Sequence, residues 1–364
     1  MMLQNHNWFV YVGAGMERMI EDADREYASQ VVLKRCGQLL GEISALKRVI
    51  GEESIHDTRV ASRRIRAALE AFRDLFPPPA WQACFDSAKS ITRTLGRARE
   101  EEVTLALLRD LTNGGDLAEN LCREYLEERC RKNIMKLQRK MVGQLKAMNV
   151  RRLRSQLRAL VDQLGLVHSL PESPVGAEAA GPDSRFQQKH TARRAHQATL
   201  FPPDDNPVAR ARRVVKGLSE PVLSFRPRYD FPRASDERLH NLRIAAKKLR
   251  YAMEIFDPVW PGGLAAEVAA AKALQDRAGE YHDWAVLRNR LRAEIRRLTS
   301  KETTHLAFQI GRLLAHVEDR KASKRKEILP ALAGLQAGFH DALERKAGRA
   351  SPDTAPEREV EKLP

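Results

Sequence analysis

The segment SIHDTRVASRRIRAALEAF, residues 54–72, recurs in the second half of the chain as RLHNLRIAAKKLRYAMEIF, residues 238–256. The two copies share a histidine, two arginines, two alanines, a glutamate and a phenylalanine at matching positions. The identical pairs are His56 and His240, Arg59 and Arg243, Ala61 and Ala245, Arg66 and Arg250, Ala68 and Ala252, Glu70 and Glu254, and Phe72 and Phe256. Arg63 and Arg64 align with Lys247 and Lys248, so the charge is kept. An internal duplication of this kind predicts two similar units.

A second repeated stretch follows each copy. TLGRAREEEVTLALL, around Gly96, matches RAGEYHDWAVLRNRL, around Gly279, with a shift of one residue. Apolar residues recur at spacings of three and four, while alternating β-branched runs are missing, so helix is the predicted regular structure. The candidate helices cover about residues 26–50, 54–76, 80–112, 116–148, 206–220, 235–257, 263–299 and 303–345. Ser54 and Ser235 are candidate N-caps.

We therefore predict an all-α protein of two four-helix bundles related by pseudo-twofold symmetry. The predicted divisions are an N-terminal extension (1–25), a first bundle (26–165), a linker (166–205), a second bundle (206–345) and a disordered tail (346–364). The linker is rich in Pro, Ala, Gly and charge, with room for one short basic helix around Lys189 to Arg194. The tail has little to bury.

The repeated segment has two chemically distinct faces when it is placed on a helix. On one face lie a histidine and three cations in each copy: His56, Arg59, Arg63 and Arg66, then His240, Arg243, Lys247 and Arg250. On the opposite face lie the predicted core residues: Ala61, Ile65, Ala68 and Phe72, then Ala245, Leu249, Ala252 and Phe256. If the units pack about a pseudo-twofold axis, the two rows of cations line one groove.

The composition indicates a polyanionic partner. Lys and Arg number 63 against 48 Asp and Glu, which gives a formal charge of +15. Only 6% of residues are aromatic, whereas proteins that bind single-stranded nucleic acid stack bases on aromatic side chains. A bare phosphate chain is therefore favoured over a nucleic acid. Arginine can meet two phosphate oxygens with its planar fork, and lysine acts as a point charge.

The paired segments SIHDTRVASRRIRAALEAF and LHNLRIAAKKLRYAMEIF, each followed by an L-G-x-A-R or A-G-E-Y-H-D stretch, resemble the CHAD family, the conserved histidine α-helical domain. The resemblance covers roughly 26–345 apart from the linker. It implies two four-helix bundles, binding of inorganic polyphosphate along a basic channel, and association with polyphosphate granules. The chain departs from the family pattern in two places. The acidic residue of the pattern is kept as Asp57 in the first copy but is replaced by Asn241 in the second. Arg99-Glu100-Glu101 replaces an Arg-Asp-aliphatic-Asp run.

The resemblance also implies the ligand contacts, carried over by position. The expected phosphate contacts are His56, Arg59, Arg63, Arg66, His240, Arg243, Lys247 and Arg250. The expected secondary contacts are Arg64, Lys248, Arg97 and Arg99. A bound polyanion should favour the charged form of the two histidines.

Two other functions stay open at this stage. A basic groove does not distinguish what carries the phosphate, so nucleic-acid binding is one alternative. A metal site is the other, if His56 and His240 meet at the pseudo-axis with Asp57 or Asp283, although the surrounding cations would repel a metal ion.

No enzymatic activity, cofactor or metal is expected. The sequence has no Gly-rich phosphate loop with a G-K pair, no G-x-S-x-G elbow and no carboxylate cluster suited to magnesium. The family also occurs fused to a triphosphate tunnel domain with an E-x-E-x-K motif. The closest string, EREVEK at 357–362, has the wrong register, and we interpret it as chance.

The sequence favours a cytoplasmic protein. Cys36, Cys84, Cys122 and Cys130 form no C-x-x-C pair and have the character of reduced thiols. The apolar residues near the start lack the features of a secretory signal, and no apolar run is long enough for a membrane span. The oligomeric state cannot be read from the sequence.

Overall fold

The structure is a computed structural model that describes residues 6–111, 117–163, 206–298 and 304–344 of the chain. Within these ranges the regular structure is helical, with two short 3-10 turns and no strand. The helices are α1 (His6–Arg48), α2 (Glu52–Ala71), α3 (Pro78–Asp110), α4 (Leu117–Ala147), α5 (Val150–Asp162), α6 (Asn206–Leu223), α7 (Asp236–Phe256), α8 (Ala265–Arg297) and α9 (Thr304–Glu344). The predicted all-α class is confirmed.

The helix boundaries differ from the predicted ones at several ends. Helix α1 begins about twenty residues before the predicted start, and α5 is a separate helix whose N-cap is Asn149. Ser235 caps α7 as predicted, with its hydroxyl accepting from the amide of Arg238 at 3.2 Å. Ser54 is not an N-cap: α2 begins two residues earlier, and the Ser54 hydroxyl accepts from the amide of Gly51 at 3.0 Å. The predicted linker (166–205) and tail (346–364) lie outside the described residues.

The apolar face of the repeated segment is buried in both copies. Ala61, Ile65, Ala68 and Phe72 of α2 are each at most 6% exposed. Leu249, Ala252 and Phe256 of α7 are likewise buried, and Ala245 is partly buried at the edge of the same core. Burying this face leaves the basic face of each helix directed away from the core, which is the condition for a charged groove.

Helices α2 and α7 pack against each other through reciprocal contacts. Arg64 of α2 pairs with Glu254 of α7 at 3.5 Å. Lys248 and Glu70, which occupy the equivalent positions, pair at 3.7 Å. The equivalent rings of Phe72 and Phe256 meet edge-on, with centroids 5.7 Å apart. Contacts that repeat with the two copies exchanged are produced by a local twofold axis between the helices.

The other helices contact their counterparts in the same order. Helix α1 contacts α6, α3 contacts α8, and α4 contacts α9. Buried side chains of both halves contribute to a common core, and a second cluster joins the far ends of α3 and α4 to α8 and α9. Pseudo-twofold symmetry over the whole of the two halves, and the division into two bundles, stay predictions.

A buried ion-pair network fixes α6 beside α1 and the end of α2. Arg210 of α6 pairs with Asp24 of α1 at 2.7 Å and with Asp74, after α2, at 2.6 Å. Both Arg210 and Asp24 are buried, so removing either charge would leave the other buried without its partner and lower the stability of the fold. The network holds α6 next to the paired helices α2 and α7.

All four cysteines are buried with free thiols. No helix of the described ranges is long and apolar enough to cross a bilayer.

Candidate functional site

A cavity of about 500 Å³ lies where α2, α6 and α7 meet. Its lining includes Arg63 and Arg66 from α2 and Lys247 and Lys248 from α7, all four of which were predicted ligand contacts. Arg213 of α6 adds a fifth cation. The structure thus brings part of the two predicted rows of cations to one hollow, which we call the central cavity.

Lys247 has the most perturbed electrostatic environment of these cations. Burial, followed by the positive charges of Arg243, Arg63, Arg66 and Lys248, lowers the pKa of Lys247 to about 8. These four cations come from both α2 and α7, so the two helices create one positive field. A bound anion would stabilise the charged form of Lys247, which its cationic neighbours disfavour.

Two arginines of the site are held by side chains that leave their charge available. The Arg63 Nε donates to the Tyr251 hydroxyl at 2.9 Å, across the α2–α7 contact. The Arg66 guanidinium lies over the Phe85 ring, 5.1 Å from its centroid. Neither contact neutralises the cation, because a phenol and a phenyl ring carry no net charge.

Four arginines have a buried Nε that makes no hydrogen bond among the described residues, and one of these, on Arg64, lies 3.5 Å from the Glu254 carboxylate. The Nε atoms of Arg59, Arg66 and Arg243 are buried and have no hydrogen-bond partner among the described residues. Burial, followed by the charges of Arg63 and Arg99, lowers the pKa of Arg59, and burial also lowers the pKa of Arg66. An unpaired buried donor costs free energy that a phosphate oxygen could recover.

His56 and Arg59 line a second cavity of about 420 Å³ at the N-terminal end of α2. Arg99 of α3 also lines it and pairs with Glu52 at 2.7 Å and Glu102 at 3.5 Å. These carboxylates partly neutralise this end of the site. Arg59 does not line the central cavity, but the charge of Arg63, one helical turn further along α2, helps to lower its pKa.

His240 does not approach a carboxylate but faces His282 of α8, with their Nδ1 atoms 3.1 Å apart. Burial, followed by His240 and Arg243, lowers the pKa of His282 to about 4. Burial and the cations Arg243 and Lys247 also lower the pKa of His240. Without a ligand, both rings are therefore neutral at pH 7, and a bound polyanion would have to supply the charge that favours protonation.

Several predicted contacts are engaged elsewhere or lie outside both cavities, among them His240 and Arg243, which line neither. Arg250 lines neither cavity: it pairs with Glu254, and its Nε donates to Gln275 at 3.1 Å. Arg64 is paired with the same Glu254, and Lys248, although it lines the central cavity, is paired with Glu70. Arg97 is exposed and lines neither cavity. That these residues contact a ligand stays a prediction.

Three site residues were not singled out from the sequence. Tyr251 aligns with Ala67, so comparing the two copies passes over it, although both residues line the central cavity. Arg213 ends the basic run Arg-Ala-Arg-Arg of residues 210–213, a signal that could have been used. His282 belongs to the A-G-E-Y-H-D stretch that carried the family resemblance, and its position could have been weighed there.

The predicted metal alternative required His56 and His240 to share a site. The structure places His56 in the second cavity and His240 against His282. Across the described ranges, no three His, Cys, Asp or Glu side chains are grouped as metal ligands would be.

Comparison with known proteins identifies the fold. The sequence signature of the CHAD domain matches residues 30–292. The CHAD domain structure from the plant Ricinus communis superposes with a TM-score of 0.55 at 22% identity, covering 89% of this chain and 93% of that one. PptA from Streptomyces chartreusis superposes with a TM-score of 0.51 at 15% identity, covering 87% of this chain and 99% of that one. No curated protein matched the sequence. Since the signature spans most of the chain and the described helices share the fold of a solved CHAD domain, the chain belongs to the CHAD domain family.

Proposed function

We propose that this protein binds inorganic polyphosphate along the basic faces of α2 and α7, in the cytoplasm and in association with polyphosphate granules, and that it is not an enzyme. The observation that carries the proposal is the environment of Lys247. Each of the four charges that shifts its pKa is positive, and they come from both copies of the repeated helix. Such a field stabilises a ligand that brings several negative charges at once.

The spacing of the cations suits a chain of phosphates. Arg59, Arg63 and Arg66 lie at successive turns of α2, so their side chains leave the helix about 4.5 to 6 Å apart along its axis. A polyphosphate presents an anion at each unit, and arginine can bind two oxygens of one phosphate with its fork. The unpaired Nε donors of Arg59, Arg66 and Arg243 would then find acceptors.

A binding titration with long-chain polyphosphate tests the proposal. The test variant is Arg63→Gln with Lys247→Gln, which removes one cation from each helix. The control variant is Lys140→Gln with Arg158→Gln, which removes the same charge from exposed positions on α4 and α5. We expect the test variant to bind about 100-fold more weakly or worse, because each charge-assisted contact contributes about 1.5 to 3 kcal/mol. The control should change affinity by less than about three-fold; equal losses in the two variants would reduce the site to nonspecific charge.

Competition distinguishes polyphosphate from nucleic acid as the ligand. At equal phosphate concentration, polyphosphate should displace single- and double-stranded DNA. DNA that resists displacement would reassign the groove to nucleic acid. Salt weakens both interactions, so the comparison must be made at one ionic strength.

The absence of catalysis is tested separately. Hydrolysis of a phosphate chain needs a metal clamp or a positioned nucleophile. We expect no release of phosphate from polyphosphate when magnesium is present. Release that follows the protein through purification and is abolished in the Arg63 and Lys247 variant would contradict a purely binding role.

A further inference from the structure

The interior of the central cavity is largely apolar, a feature that a bare phosphate chain does not use. Its walls include Ala67 and Ala71 of α2, Val214 and Leu218 of α6, and Ile244 and Ala252 of α7. Ala71 and Ala252 are buried, at 6% and 3% exposure. Apolar surface of this kind releases free energy only when it meets another apolar surface.

The charged groups of the cavity are placed nearer the solvent. The side chains of Lys248 and Arg213 are 50% and 67% exposed. Arg63 and Lys247 also line the cavity, and both are partly buried. The cavity therefore has a cationic rim and an apolar interior, as a ligand with one anionic and one apolar end would require.

We propose that the central cavity binds a small organic phosphate with a hydrocarbon body, its phosphate on the cationic rim and its hydrocarbon inside. The volume of about 500 Å³ falls within the range of about 300 to 1,000 Å³ typical of small-molecule sites. The ligand shares cations with the polyphosphate site but does not need a phosphate chain. The two ligands would therefore compete.

The scarcity of polar atoms in the cavity walls favours a hydrocarbon over a nucleotide base. Apart from Tyr251, the uncharged residues of the lining are apolar, and the Glu70 carboxylate is half-exposed beside Lys248. A base buried there would leave hydrogen-bonding edges unsatisfied, which costs free energy. A hydrocarbon has no such edges.

Gly217 offers a way to narrow the cavity without replacing any of its cations. It lies inside α6 and lines the cavity, and a Cβ added to it would meet no atom within 4 Å. Leucine also has a higher helix propensity than glycine, so Gly217→Leu should not destabilise α6. Gly143→Leu is the matched control, because Gly143 is an exposed glycine within α4 with the same open surroundings.

Calorimetric titration with inorganic phosphate and with butyl, hexyl and octyl phosphate, below their micelle concentrations, tests the inference. For the wild type and Gly143→Leu, affinity should rise about three- to four-fold per methylene until the cavity is full. Gly217→Leu should lose this rise and bind octyl phosphate no more tightly than butyl phosphate. Equal affinities along the series in the wild type, or a rise that persists in Gly217→Leu, would overturn the inference.

Two further arms separate the ligand classes. ATP should bind no more tightly than inorganic triphosphate; a clear preference for ATP would overturn the hydrocarbon assignment. Wild-type protein that binds octyl phosphate but not polyphosphate would support this inference and refute the proposed function. Wild-type protein that binds polyphosphate, but binds butyl, hexyl and octyl phosphate with equal affinity, would support the proposed function and refute this inference.

Discussion

Replacing Lys247 with methionine should make the protein more stable and at the same time weaken polyphosphate binding. Methionine keeps the length and most of the packing of the lysine stem but removes the charge. In the folded protein this charge is buried among Arg243, Arg63, Arg66 and Lys248. The lysine is therefore a local source of instability that a purely structural role would not explain.

The magnitude follows from the lowered pKa. A decrease from 10.5 to about 8 penalises the charged form by about 3 kcal/mol, at 1.36 kcal/mol per pKa unit. Between pH 8 and 10.5 the unfolded chain holds the proton more tightly than the folded protein, so stability rises with pH in that window. The gain from Lys247→Met should accordingly be about 3 kcal/mol at pH 7 and fall to about 1 kcal/mol at pH 10.

Urea unfolding of the wild type and Lys247→Met at both pH values measures the effect. Lys140→Met, at an exposed position on α4, is the control and should lie within about 0.5 kcal/mol of the wild type. Polyphosphate affinity of Lys247→Met should fall by about ten-fold or more. A variant less stable than the wild type at pH 7, or a gain that does not shrink at pH 10, would refute the reasoning.

Three other predictions concern the same site and its support. Polyphosphate affinity should fall as pH rises from 7 through 8, because free Lys247 loses its proton there and the bound phosphates must restore it; titrations at pH 7 and 9.5 measure this, and equal affinities at the two pH values would contradict it. Tyr251→Phe removes the acceptor that orients Arg63 and should weaken polyphosphate binding about five-fold, measured by the same titration, with Tyr229→Phe, an exposed tyrosine, as an unaffected control. Arg210→Met leaves the buried Asp24 carboxylate unpaired and should lower the free energy of unfolding by about 3 kcal/mol in urea, whereas a loss below about 1 kcal/mol would show that Asp24 is not held as a charge.

The all-α fold class was predictable because the same helical periodicity of apolar residues appears in both copies of the repeated segment. Ala61, Ile65, Ala68 and Phe72 are buried as the helical periodicity predicts, and Ser235 caps its helix. Ser54 did not follow the same rule, because Gly51 precedes it and the helix begins at once after the glycine. Serine is generally the stronger N-cap, so propensity favoured the wrong residue; Ser54 instead occupies the third position of the helix and accepts from the Gly51 amide.

The placement of the cations was only partly predictable. Periodicity directs Arg63, Arg66 and Lys247 away from the core, and these residues do meet in the central cavity. Arg250 and Glu254 are four residues apart on α7, a spacing that does indicate an ion pair, but periodicity cannot foresee that Arg64 of α2 reaches the same carboxylate. Tyr251 was missed for another reason. Comparing the two copies of the repeat identifies only the residues that they share, whereas the central cavity is also lined by residues that differ between the copies, such as Tyr251 and Ala67.

Whether α2 and α7 act on one ligand is measured most directly by calorimetric titration with a short polyphosphate chain. The wild type should bind one chain per protein. Arg63→Gln on α2 and Lys247→Gln on α7 should each weaken that single event while the stoichiometry stays at one. Two independent sites, with each variant abolishing one and leaving the other at full affinity, would contradict a shared site between the two helices.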